Sequence, residues 1–237
     1  MRGDVVKQQY CQLCMEDIHK RLSIYHWLKQ DQMLCESCLS QLKRIDRTMI
    51  FDNIPVTVIY EYNDFLENMI FQYKEGLDVA LQDVFFYEDI QRINRKFRQY
   101  HIVLMPSSEE KFLQRGFLPV KQMLSRCTVP IIEPFYKSEN YKQSLQSFKH
   151  RERVKDVIHM KYGFRLPKTK LLLVDDVCTS GSTIKYAYQL LSKHTYKIEV
   201  MVLSANHRFV ESCGEKGLKK MYEFSILKHV EGLRKVK

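Results

Sequence analysis

Short runs of apolar residues recur along the chain at intervals long enough to hold a helix. Four of these runs predict β-strands, at residues 55–60, 101–105, 170–174 and 198–203. Apolar residues at successive positions favour strands that are buried on both faces, as in a parallel sheet covered by helices. We therefore predict an α/β fold, a parallel sheet flanked by helices.

Helix-period patterns occupy the intervals between these runs. Asp64, with Glu67 three residues later, predicts the start of a helix whose apolar face continues to residue 73. A second helical stretch is predicted over residues 77–99, and a third over 184–193. The aromatic and aliphatic residues of the second stretch are expected to pack in the core.

Two CxxC pairs, Cys11 with Cys14 and Cys35 with Cys38, are separated by twenty residues. The chain has seven cysteines, an odd number that argues against a framework of disulfides. A redox CxxC needs one pair only, and usually a thioredoxin-like context that is not seen here. Two CxxC turns can place four thiolates around one ion, so the spacing predicts a structural zinc site with no open position.

The segment that carries these cysteines, residues 1–47, is too short to bury a large apolar core by itself. Zinc would then supply much of its folding free energy. His19 and His26 lie between the pairs and are alternative ligands, although neither is needed. We predict a four-Cys zinc-binding module at 1–47 and an α/β domain at 48–237.

An acidic pair, Asp175 and Asp176, follows the apolar run at 170–174. Next comes a hydroxyl-rich turn of five residues, Thr179, Ser180, Gly181, Ser182 and Thr183. In open α/β sheets, ligands bind beyond the carboxyl ends of the strands, and a helix N-terminus attracts phosphate. The carboxylates suit a sugar diol or a hydrated Mg²⁺, so these groups fit a pentose 5′-phosphate; the alternative is a capping turn with two incidental acids.

The segment 171–183 resembles the phosphoribosyl pyrophosphate motif of type I phosphoribosyltransferases. With the CxxC pairs and the element 114–117 (QRGF), the chain resembles the ComF family over nearly its whole length. The resemblance implies a type I phosphoribosyltransferase-like sheet with a small zinc-ribbon-like module. It further implies that Asp175 and Asp176 hold the ribose hydroxyls, that the turn 179–183 binds the 5′-phosphate, and that Mg²⁺ accompanies the pyrophosphate.

Further residues follow from the same resemblance. Lys111 and Arg115 are candidates to neutralise the pyrophosphate oxygens. Leu118 stands where the family usually has Asn, and Glu109 and Glu110 lie close to both cations. These departures favour binding of phosphoribosyl pyrophosphate over efficient transfer. An active Mg-dependent phosphoribosyltransferase acting on an unidentified nucleobase or amine remains the alternative.

The ComF resemblance also implies a role in the uptake of single-stranded DNA during natural transformation, with the competence helicase ComFA as a partner. Residues 137–170 hold ten basic and three acidic residues, interleaved with aromatic ones. Cations and stackable rings suit single-stranded DNA. The candidate DNA-binding residues are Lys142, Lys149, Arg151 and Arg153. Alternatively, the rings fill the core and the cations pair with the acidic segment at 49–91.

Composition and net charge narrow the class of protein. The 237 residues carry a net charge of +10, with 45% hydrophobic and 28% charged residues, which excludes a disordered or fibrous chain. No apolar run is long enough to span a membrane, and no signal peptide is visible at the N-terminus. We expect a cytoplasmic protein, with a position peripheral to the DNA-uptake machinery at the membrane as the alternative.

Overall fold

The computed structural model describes residues 10–18, 33–138, 158–195 and 197–213. Within these ranges the strands are β1 Arg44–Phe51, β2 Ile54–Glu61, β3 Tyr100–Leu104, β4 Ile131–Ile132, β5 Phe135–Lys137, β6 Ile158–Met160, β7 Lys170–Cys178 and β8 Ile198–Ala205. The α-helices are α1 Glu36–Gln41, α2 Asp64–Lys74, α3 Gln82–Phe85, α4 Ile90–Lys96, α5 Glu109–Arg115, α6 Pro119–Met123, α7 Ser182–Ser192 and α8 His207–Ser212; a 3₁₀ turn spans Val79–Leu81.

Six strands form one sheet in the order β1-β2-β8-β7-β3-β4. Every neighbouring pair from β2 to β4 is parallel, and only the edge strand β1 runs antiparallel to its neighbour. Strands β5 and β6 form a separate antiparallel ribbon. The predicted α/β class, a parallel sheet flanked by helices, is therefore confirmed, with an antiparallel edge that the pattern did not indicate.

The four predicted strands correspond to β2, β3, β7 and β8. Strand β7 continues four residues beyond the predicted apolar run, because β8 still pairs with it there. Asp175 pairs in register with Val202, and Cys178 with Ala205. The acidic pair thus lies within the last part of β7 instead of beyond its end.

Two helix predictions need correction. The side chain of Asn63, and not that of Asp64, caps α2 by accepting a hydrogen bond from the N–H of Leu66 at 2.9 Å. The predicted continuous helix over 77–99 is wrong, since the segment is a 3₁₀ turn followed by the separate helices α3 and α4. Just before α4, the carboxylate of Asp89 is fully buried against Arg44 of β1. This long-range ion pair leaves no trace in the local periodicity.

The core lies on both faces of the sheet. One cluster joins the four-Cys segment to α2 and the sheet, and includes Cys11, Cys38, Ile59 and Leu66. The other cluster packs α7 and α8 against the opposite face. The cysteine segment is therefore packed on the sheet, and the predicted boundary between residues 47 and 48 falls inside β1. The two-domain division remains a prediction.

Among the helices of the described ranges, none is long and apolar enough to cross a membrane.

Candidate functional sites

The four cysteines of the CxxC pairs come together in one cluster. Their Sγ atoms all lie within 4.8 Å of one another, and those of Cys14 and Cys35 are 3.5 Å apart. A tetrahedron with Zn–S bonds of 2.3 Å has edges of about 3.8 Å, so this arrangement fits a zinc ion. Cys11, Cys35 and Cys38 are buried and Cys14 is exposed. The cluster can hold a metal such as zinc; His19 and His26 lie outside the described residues.

A cleft of about 720 Å³ opens at the carboxyl ends of β3 and β7. It is lined by the end of α2, by α5 and α6, and by the ribbon β5–β6. Of the predicted site residues, those in contact with it are Lys111, Arg115, Asp175, Asp176 and Thr183. The remaining turn residues, Thr179 to Ser182, are not part of its lining. One cleft thus brings together the acidic pair, both candidate cations and the first turn of α7.

The backbone of β7 fixes the acidic pair. Oδ1 of Asp175 accepts a hydrogen bond from the N–H of Asp176 at 2.9 Å, and Oδ1 of Asp176 accepts one from the N–H of Val177 at 2.7 Å. Burial, together with the negative charge of Asp176, raises the pKa of the Asp175 carboxyl to about 7. Near neutral pH the Asp175 carboxyl can therefore hold a proton, and it can then donate a hydrogen bond as well as accept one.

Lys74, the last residue of α2, lines the cleft, but the sequence patterns did not identify it as a site residue. Its ammonium group forms an ion pair with Oδ2 of Asp176, and only 17% of its side chain is exposed. A signal was available: Lys74 is the one basic residue in the acidic segment 49–91. Its pairing with Asp176, however, depends on how α2 packs beside β7, and the local sequence pattern does not predict that packing.

Helix α5 carries the two candidate cations on the side of the cleft. Ser108 caps its N-terminus by accepting a hydrogen bond from the N–H of Lys111, and Gly116 ends it with φ +77°. The side chain of Arg115 is only 10% exposed, and its Nε has no hydrogen-bond partner among the described residues. Glu109 and Glu110, which the sequence places near these cations, occupy the first turn, where the helix dipole favours acids.

The turn before α7 depends on a glycine. Gly181 has φ +73°, and a Cβ at this position would lie 2.5 Å from the ring of Phe51 and 2.9 Å from that of Phe209. The first N–H groups of a helix have no acceptor within that helix, and Gly181 offers no capping side chain. Thr183 adds a hydroxyl at the cleft. The start of α7 therefore presents donors suited to an anion.

The ribbon β5–β6 forms the remaining wall. Lys137 and Lys161 line the cleft there, beside Tyr136, whose ring packs against that of His159 with centroids 5.4 Å apart. Tyr136 is exposed. The candidate DNA-binding residues Lys142, Lys149, Arg151 and Arg153 lie outside the described residues.

Comparison with known proteins finds two that are similar in sequence to this chain. It is 27% identical over 135 residues to competence protein ComFC of Streptococcus pneumoniae, and this match covers 57% of the chain and 60% of that protein. It is 23% identical over 219 residues to competence protein ComFC of Bacillus subtilis, covering 80% of the chain and 91% of that protein. The chain is thus similar in sequence to the ComFC proteins of two species. The resemblance predicted from the motifs is thereby confirmed, while no family model matches the chain.

Solved structures that partly match this chain include two phosphoribosyltransferases. A hypoxanthine phosphoribosyltransferase from Staphylococcus aureus has a TM-score of 0.39 and 12% identity, covering 54% of this chain and 65% of that one. Adenine phosphoribosyltransferase from Saccharomyces cerevisiae has a TM-score of 0.37 and 14% identity, covering 62% and 78%.

Proposed function

We propose that this ComFC relative binds phosphoribosyl pyrophosphate with Mg²⁺ in the cleft and supports the uptake of single-stranded DNA in natural transformation. The observation that carries the proposal is the composition of the cleft. A half-buried acidic pair, two cations on one helix and the start of another helix face one space of about 720 Å³. A sugar with phosphates at both ends needs these three kinds of group.

The acidic pair would hold the sugar. Carboxylate oxygens of Asp175 and Asp176 accept hydrogen bonds from neighbouring hydroxyls, and each Asp already uses one oxygen to fix its own backbone. The other oxygen of Asp175 would face the ribose, and Oδ2 of Asp176, which is ion-paired with Lys74, would use a further lone pair to accept from a ribose hydroxyl. Because ribose hydroxyls are neutral donors, they satisfy these carboxylates in a partly buried position where a phosphate would be repelled.

The cations of α5 would hold the pyrophosphate. Arg115 provides a guanidinium fork suited to phosphate oxygens, and its unpartnered Nε supplies a further donor. Lys111 adds a charge one helical turn away, at the cleft wall. Mg²⁺, when bound, would screen the charge of the pyrophosphate.

The 5′-phosphate would lie at the start of α7. Its binding turn is Thr179, Ser180, Gly181, Ser182 and Thr183, in which Ser180 Oγ already contacts Ser182 Oγ at 3.2 Å. Backbone N–H groups and the helix dipole would supply most of the attraction, supported by the hydroxyls.

The proposal also covers the cellular role of the protein, its macromolecular partners and its location. The name of the two relatives, competence protein, supports a role in transformation. Single-stranded DNA would bind the basic stretch that begins at Lys137, through Lys142, Lys149, Arg151 and Arg153, and ComFA would be the helicase partner. We place the protein in the cytoplasm, peripheral to the uptake machinery, with zinc stabilising residues 1–47 beside the domain at 48–237.

Titration calorimetry with phosphoribosyl pyrophosphate and Mg²⁺ tests the cleft. Asp175→Asn/Asp176→Asn keeps the Oδ1 acceptors that fix the backbone but removes both charges, and we expect it to abolish binding. The matched control is Glu67→Gln/Glu211→Gln, which neutralises two exposed acids outside the cleft. Equal affinity in the wild type and the Asp double variant would remove the sugar assignment.

A further inference from the structure

Two neighbouring residues at the end of α2 pair with opposite charges of the cleft. Lys74 pairs with Asp176 of the acidic pair. Glu75 accepts hydrogen bonds from Arg115 at 2.5 Å and from Lys111 at 3.2 Å. One dipeptide therefore neutralises both halves of the cleft, its anionic side and its cationic side.

The pairing with Glu75 is more than an incidental surface contact. Its side chain is 30% exposed, and that of Arg115 only 10%. The hydrogen bond from Arg115, supported by Lys111, holds the pKa of the Glu75 carboxyl below its ordinary value. Glu75 is consequently charged at neutral pH and satisfies the two cations that would otherwise face the cleft alone.

The backbone holds Glu75 in this position. Its N–H donates to the carbonyl of Phe71 at 2.7 Å, and the N–H of Gly76 donates to the same carbonyl at 3.2 Å. A Cβ at Gly76 would lie 2.6 Å from the carbonyl oxygen of Gln72, so the chain leaves the helix through a turn that only glycine accommodates. Since the backbone is fixed, a rotation of the Glu75 side chain is the simplest way to release Lys111 and Arg115.

We propose that Glu75 is an internal counter-ion that competes with the ligand's pyrophosphate for Lys111 and Arg115. This inference rests on the proposed function, since it regulates the same cleft. A ligand must replace the carboxylate with at least as much negative charge. A pyrophosphate, with several charged oxygens, meets that condition better than a single carboxylate or a neutral molecule. Glu75 thereby favours polyphosphates over weaker anions.

Inorganic pyrophosphate, titrated calorimetrically at constant Mg²⁺ and low salt, is the probe. Glu75→Gln removes the competing charge, and we expect it to tighten pyrophosphate binding between about threefold and about tenfold. Asp78→Asn removes the same charge three residues further on, outside the cleft, and should stay within about twofold of the wild type. Lys74→Gln should weaken binding, because it removes a cation and exposes the charge of Asp176.

The opposite signs expected for residues 74 and 75 separate a counter-ion from a merely structural role, which would shift both variants in the same direction. If the wild type binds pyrophosphate and Glu75→Gln binds it equally or more weakly, the counter-ion role of Glu75 is overturned and the proposed function stands. Absence of pyrophosphate binding in both proteins overturns the two together. If Glu75→Gln does not fold, Glu75→Asp, whose shorter side chain reaches the cations less well, should bind more tightly than the wild type, and failure to do so contradicts the proposal.

Discussion

At the scale of single residues, the region around the cleft contains features that are unfavourable or restrictive for the ligand-free protein. Asp175 lies beside a second carboxylate in a buried position, and Gly181 adopts a backbone conformation that L side chains rarely take. The carboxylate pair lowers the stability of the ligand-free chain, and the turn at Gly181 restricts that position to glycine; neither feature is needed to build the sheet. Unfavourable local choices of this kind occur where a ligand is to be bound.

We expect Asp175→Asn to stabilise the ligand-free protein at neutral pH. The folded-state pKa of Asp175 is raised from 3.8 to about 7, so the folded chain holds a proton that the unfolded chain has lost. The wild type therefore loses stability as the pH rises from about 4 to about 7. The free energy of unfolding of both proteins is measured with urea at pH 5 and at pH 8. The advantage of the variant over the wild type should be larger at pH 8 than at pH 5 by about 1–3 kcal/mol. A constant difference across this range would contradict the assignment.

Gly181→Ala should destabilise the protein by about 2–4 kcal/mol, through positive φ and contact with Phe51 and Phe209. Gly163→Ala is the matched control, because Gly163 has φ +71° but no atom within 4 Å of its Cβ position. That variant should lose only about 1 kcal/mol. Urea unfolding of both proteins measures the difference, and equal losses would mean that crowding at Gly181 is unimportant.

At the scale of elements, short segments are held by contacts that reach far along the chain. Helix α1 has six residues and follows Cys35, while Arg44 of β1 binds Asp89, which precedes α4. Helix α5 buries no residue and is attached through the pairs of Lys111 and Arg115 with Glu75. Such elements are marginal alone, and their stability comes from tertiary partners.

A zinc ion bound by the four cysteines should be one of the tertiary partners that stabilise these short elements. We expect one zinc per chain by elemental analysis, and loss of zinc with a fall of more than about 3 kcal/mol in unfolding free energy for Cys35→Ser. Cys127→Ser serves as the control, since Cys127 lies outside the cluster and its contact with Asn94 suits a hydroxyl equally. A metal-free wild type of full stability would count against a zinc site.

At the scale of the whole molecule, the sequence reveals the parallel sheet well because its strands are continuously apolar. The edge strand β1 escaped the pattern, since four of its eight residues are charged or polar and interrupt any apolar run, and since its pairing with β2 is antiparallel. Asp175 and Asp176 were predictable because they belong to one local motif. Lys74 and Glu75 were not, because they reach the cleft from α2, which lies far away in the sequence.

The proposed binding of single-stranded DNA would depend on the charge of the whole molecule. If single-stranded DNA binds electrostatically, its affinity should fall steeply with salt, and Arg151→Ala/Arg153→Ala should reduce the slope of log K against log salt by about 1.4. Arg95→Ala/Arg98→Ala removes two exposed arginines elsewhere and should keep the slope. Affinity that does not depend on salt would argue against this mode of binding.

A crystal structure of the protein with phosphoribosyl pyrophosphate and Mg²⁺ would show where on the protein this ligand binds. We predict that the ribose hydroxyls contact Asp175 and Asp176, that the 5′-phosphate lies at the start of α7, and that the pyrophosphate reaches Arg115. Density for the ligand elsewhere on the protein, or a cleft without ligand at saturating concentration, would contradict the account.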